Sequence, residues 1–195
     1  MKSSLWKMKG TLLILAVWII TFVVSQFFDF PPLFCGKGLD RIGGEYYRIF
    51  TGAMLHTNAV HLAANCLGLF WIGRYLEIHI GSGAYLGLGI LSCVLAEGIF
   101  LAIYKKTEAS CGGSVFPFSF MGWILVLQFR AEFPRFRLGT WYGNWIGIYA
   151  VAANIPLFSF TDATTLALHG IALGTGVILG GVFVLCGLGA GRQKG

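Results

Sequence analysis

Six stretches of this chain run almost without charge: residues 10–28, 59–73, 81–104, 115–129, 143–160 and 164–188. A helix needs about 20 apolar residues to cross a bilayer, and most of these runs reach that length once flanks and tilt are allowed. The pattern predicts an all-α protein, a polytopic membrane bundle of six transmembrane helices. Only 11% of the residues are charged, against roughly 25% in soluble domains. Six crossings leave almost nothing for a separate soluble unit, so residues 1–195 are expected to form one domain.

Charge placement predicts how such a bundle is oriented. The first run follows Lys2, Lys7 and Lys9, like a signal peptide, but it is longer than a signal core of about 7–15 residues and no small-x-small cleavage pattern follows. An uncleaved first span is expected. With the N-terminus inside, Lys2, Lys7, Lys9, Arg74, Arg130, Arg135, Arg137, Arg192 and Lys194 lie on the inner side. Lys37, Arg41, Arg48, Lys105 and Lys106 lie on the outer side. The inner excess predicts an integral multi-pass protein with both termini cytoplasmic, as in a plasma (inner) membrane. The net charge of +6 is therefore a topology signal, and no nucleic acid is expected as a partner.

The five cysteines fit no metal spacing. Cys66, Cys93 and Cys186 fall within spans and read as small packing residues. Cys35 and Cys111 both fall on the outer side, where oxidation is possible, but spacing alone does not pair them. The longest connection, residues 29–50, holds Pro31, Pro32 and the stretch FFDFPPLF, which suits an interfacial layer. No internal repeat is evident, which argues against a transporter built from duplicated halves.

Polar groups are costly in lipid and so carry the functional information. His61 and Asn65 are four residues apart and share one helical face. His56, just outside that span, reads as a loop brace. In the last span Thr165, His169, Ala172 and Gly176 form one stripe, and the small residues let a neighbouring helix approach His169. Ser114 follows the Gly112–Gly113 hinge where another helix begins. Helix starts expose unpaired N–H groups with partial positive charge. A hydroxyl there, with a histidine able to take its proton, makes a nucleophile. The helix start, His61 and Asn65 supply donors for the oxyanion of acyl transfer. Pro117 suits a first turn, and Phe118 lies one turn on from Ser114, placed to pack on the imidazole. No carboxylate completes a triad: Asp162 reads as the N-cap of the last helix, and Glu97, deep in the third run, as a structural hydrogen-bonding group. The residues predict a Ser–His dyad.

In this order and spacing the motifs resemble the rhomboid family of intramembrane serine proteases. YRIFTGAMLHTNAVHLAAN (residues 47–65) resembles the family's Trp-Arg loop and His-x-x-x-Asn helix, with Tyr47 in place of Trp beside Arg48. Glu77 falls where the family often has Glu at the end of that helix. GGSVFPFSFMG (residues 112–122) resembles its Gly-x-Ser-Gly helix start, and the His169 stripe its His-x-x-Gly-x-x-x-Gly pattern. The resemblance implies a rhomboid-like fold with Ser114 as nucleophile and His169 as base. His61, Asn65 and the Ser114 N–H would form the oxyanion hole, supported by Gly112, Phe118, His56 and Arg48. It implies transmembrane protein substrates within the lipid bilayer, and no metal or cofactor. Val115 departs from the pattern, putting β-branched bulk where the family has glycine, beside the oxyanion. The alternatives are an inactive rhomboid-like protein that binds membrane helices, and a small transporter with Glu97 and the histidines as a proton relay.

Overall fold

Backbone facing lipid has no water to bond, so an apolar run must satisfy its own N–H and C=O groups within a helix. The computed structural model describes residues 5–131, 133–155 and 163–186, and it places a helix in each of the six runs. These are α1 (Lys9–Ser25), α4 (Ala59–Ile80), α5 (Ser82–Ile103), α6 (Val115–Leu127), α7 (Trp141–Ala152) and α8 (Ala163–Leu185). Two single turns, α2 (Pro31–Phe34) and α3 (Arg48–Thr51), lie in the long connection between α1 and α4. Among the described residues there is no strand, only an isolated bridge between Gly36 and Ser110.

Two helices, α5 and α8, are long and apolar enough to cross a membrane by themselves, with mean hydropathies of 2.2 and 2.0. α1 and α6 are apolar but have 17 and 13 residues, and α7 has 12. Length alone therefore does not fix six crossings. The outer faces carry Ile20, Ile103, Ile178 and Val182, all exposed, while Asn65, Glu77, Glu97, Ser114, Ser119 and His169 are buried. Apolar outside and polar inside is the distribution a lipid solvent demands.

Helix ends are set locally. The Asn58 side chain caps α4 by accepting from the His61 N–H at 2.8 Å. Gly81, at φ 82°, is the single residue between α4 and α5; a side chain would resist that turn. Glu77, near the end of α4, is fully buried and caps a different helix. Its carboxylate accepts from the Gly10 N–H at 2.6 Å, the Thr11 N–H at 2.8 Å and the Thr11 hydroxyl at 2.6 Å. Those are first-turn donors of α1, where a negative charge is favoured.

α6 lies at the centre, against α4, α5 and most extensively α8. A Cβ on Gly176 would run into the Ser119 carbonyl, and one on Gly122 into the Leu173 carbonyl. The stripe through Ala172 and Gly176 thus faces α6, as the sequence spacing predicts, and lets the two backbones meet. α7 leans mainly on α4. The cap expected of Asp162 lies outside the described residues.

The described cations separate along the bundle. Glu77 and the α1 start share one end with Arg74, and the Tyr75 hydroxyl donates to Pro134 O there, beside Arg135. At the other end Asp40 N donates to Lys105 O at 3.1 Å, and Arg41 pairs with Glu108 at 2.9 Å.

Candidate active site

The long connection holds the segment that delivers Ser114. Gly36 and Ser110 exchange backbone bonds at 2.8 Å, and Gly38 N donates to Thr107 O at 3.0 Å. Cys35 and Cys111 form a disulfide, with Cα atoms 5.3 Å apart; of the readings left open by spacing, pairing is the one realised. Arg48 is 3% exposed and donates to Glu45 at 2.7 Å, Cys35 O at 3.2 Å and Pro32 O at 2.9 Å. The hydrogen bond from Arg48 holds the Glu45 carboxyl below the usual carboxylate range. Arg48 therefore braces this loop and does not reach Ser114's partners. Glu97, unassigned in the sequence beyond a structural bond, accepts from the Ser110 hydroxyl at 3.4 Å and so faces the same segment.

Gly112 has φ 150° and donates its N–H to Gly52 O at 3.1 Å. A side chain there would be strained, and its Cβ would lie 2.7 Å from His61 Cε1. The imidazole of His61 thus rests directly over the hinge. Ser114 follows as the N-cap of α6 and is 6% exposed. At 1.5 Å per residue α6 is about 20 Å long, shorter than a hydrocarbon core of about 30 Å. Ser114 at its start is buried within the bundle.

His169 projects from α8 towards Ser114 and is itself buried. Its Nε2 lies 3.0 Å from Ser114 Oγ, and its ring stacks on Phe118 with centroids 3.9 Å apart and planes 12° apart. Its other nitrogen, Nδ1, lies 2.9 Å from Oδ1 of Asn154, just beyond α7. Each of these bonds joins residues from different helices, so the bundle's packing sets the geometry.

A second cluster lies beside the first. Asn65 Nδ2 is 3.1 Å from His56 Nε2, and Gly113 N donates to the same nitrogen at 3.3 Å. The Tyr149 hydroxyl donates to Asn65 Oδ1 at 2.8 Å. Two donors converge on His56 Nε2, which is therefore the acceptor. His56 does brace a loop, as its position suggested, but the loop is the one entering Ser114. Its ring packs edge-on against Trp18, with centroids 5.0 Å apart. His61, 5.2 Å from His56 between ring centroids, completes the group.

Val115 is wholly buried in the central apolar cluster. It shares that cluster with Trp18, Phe118 and Ala172, which surround the Ser114–His169 pair. Among the described residues no group of three or more His, Cys, Asp or Glu is arranged to hold a metal ion.

A family model for the Rhomboid domain matches residues 43–186. The chain belongs to the rhomboid family. It is therefore an integral membrane protein, in keeping with its apolar outer faces. Over 67 residues, 34% of this chain, it is 39% identical to Rhomboid protease AarA of Providencia stuartii, and the match covers 24% of that relative. The chain thus spans about a quarter of the curated relative it matches.

Within this rhomboid the sequence brought Ser114, His169 and Phe118 together, and Asn65 with His61; the contact of His56 with Asn65 comes from the structure. It missed Asn154 and Tyr149. These stand five residues apart, off the spacing that marks one helical face, and Asn154 lies past the end of α7. The one available signal was that Tyr149 and Asn154 are hydrogen-bonding side chains within the largely apolar run 143–160.

Proposed function

We propose that this rhomboid is a serine endopeptidase that cleaves transmembrane protein substrates within the bilayer. The observation that carries the reading is the buried contact between Ser114 Oγ and His169 Nε2 at 3.0 Å. A hydroxyl donating to an unprotonated imidazole nitrogen is poised to lose its proton as oxygen attacks a carbonyl. Ser114 is the nucleophile and His169 the base, and the tetrahedral oxyanion forms beside the start of α6. Asn65 Nδ2 has a second hydrogen beyond the one facing His56, and with the His61 ring and the Ser114 N–H it supplies the oxyanion donors. His169 then returns its proton to the leaving amine, and water releases the acyl group by the reverse sequence. No step calls on a metal or cofactor.

The apolar exterior supports substrate approach through lipid. Six crossings, with both termini cytoplasmic in a plasma (inner) membrane, accord with the separation of cations along the bundle. All these roles sit within a single domain. The test is cleavage of a model transmembrane substrate by purified protein in liposomes. The reading requires cleavage by the natural protein and none by Ser114→Ala. Tight substrate binding without cleavage would instead make the protein an inactive rhomboid that holds membrane helices.

A further inference from the structure

Asn154 and Tyr149 both belong to the α7 segment, yet each reaches a different half of the site. α7 packs chiefly on α4, where Tyr142 stacks on Tyr75 and Trp141 meets Trp71, while an apolar cavity of about 350 Å³ lies between it and α6 and α8, lined by Ile146, Gly147 and Ala150 on its side. Its outer face carries Trp145, Ile148 and Val151, all exposed. Two polar contacts tie its outer part inward, Tyr149 to Asn65 and Asn154 to His169.

The bonding fixes what each contact does. Asn154 Nδ2 donates to the Ala150 carbonyl at 2.7 Å. A carbonyl only accepts, so the amide cannot be turned around without losing that bond. Oδ1 is then the atom facing His169 Nδ1, and Nδ1 must carry the proton. His169 Nε2 is left with its lone pair directed at Ser114 Oγ, which is the tautomer a base requires. Asn65 is oriented from its other side. His56 Nε2 accepts from the Gly113 N–H, so Asn65 must turn Nδ2 towards it, and Oδ1 is left to accept from the Tyr149 hydroxyl.

We propose that Asn154 and Tyr149 are positioning residues, through which α7 sets the His169 tautomer and the Asn65 amide together. Neither touches the reacting atoms. When Nε2 takes the serine proton, the imidazolium keeps its Nδ1–H bond to Asn154 Oδ1, now strengthened by charge.

The kinetic part of this inference rests on the proteolytic reading; the tautomer does not. The protein is labelled with ¹⁵N-histidine and studied in liposomes, and His169 is assigned by difference against His169→Ala. The natural protein should show Nδ1 protonated and Nε2 bare. Asn154→Ala should mix the tautomers, and Asn154→Asp, which keeps an acceptor, should restore the first. In cleavage assays Asn154→Ala should lower kcat about 10- to 100-fold with KM unchanged, with most of the rate recovered in Asn154→Asp. Tyr149→Phe should lower kcat and leave the tautomer untouched. If Asn154→Ala does not fold, Asn154→Ser takes its place, since its shorter side chain also withdraws the acceptor. A protonated Nε2 in the natural protein overturns the inference, as does an unchanged tautomer in a folded variant lacking the acceptor. Absence of cleavage by the natural protein, with the tautomers as expected, would sink the proteolytic reading and leave the positioning role standing.

Discussion

Val115→Gly distinguishes bulk in a substrate pocket from bulk in a helix interior. Val115 is fully buried and belongs to the central cluster with Trp18, Phe116, Phe118 and Phe120. Lipid is as apolar as a packed core, so in a membrane bundle the side chain contributes mainly through dispersion with close neighbours. Each buried methyl removed from a packed core costs about 0.5–1.5 kcal/mol, so trimming valine to alanine should cost about 1–3 kcal/mol. Glycine in a helix adds up to about 1 kcal/mol. The expected loss is therefore about 1–4 kcal/mol, read as a lower midpoint of unfolding in mixed micelles with rising SDS. Catalytic rate per folded molecule should stay level or fall as α6 loosens. A Val115→Gly protein with an unchanged midpoint and faster cleavage would refute this, and would return Val115 to the substrate pocket.

Asn65→Ala should lower kcat by about 10²–10³ with little change in KM, since an oxyanion donor acts in the transition state; steady-state cleavage kinetics check it. Glu77→Gln removes the charge that receives three donors from the start of α1. Hydrogen bonds to charged groups contribute about 1.5–3 kcal/mol each, so the unfolding midpoint should drop clearly while folded protein keeps its kcat. Gly176→Val drives a side chain into the Ser119 carbonyl and should lose stability and activity together, whereas Gly174→Val, which meets open space, should preserve both.

The parts of this protein legible in its sequence are those that obey one periodicity. The six runs gave helices because lipid leaves a backbone no other choice, and the Ala172–Gly176 stripe gave the α6–α8 contact because only small residues permit it. Ser114, His169 and Phe118 were legible because their chemistry is scarce in apolar surroundings. Asn154 was not, since its role comes from the end of α7 meeting the face of α8, a tertiary fact with no local spacing. His56 was underestimated for the same reason: its partners, Asn65 and Gly113, lie 9 and 57 residues away. Glu77 capping α1 crosses 67 residues of chain, and no pattern within α4 announces it.

The most direct measurement of the central claim is covalent labelling of the purified protein by a fluorophosphonate, which reacts only with an activated serine. Labelling should occur on Ser114 and vanish in Ser114→Ala. It should also vanish in His169→Ala, and the double variant should be no worse than either single, because the two side chains act in one proton transfer. Each variant is checked for a folded bundle by its unfolding midpoint. Labelling that persists in folded His169→Ala, or that never occurs in the folded natural protein, would contradict the Ser114–His169 assignment.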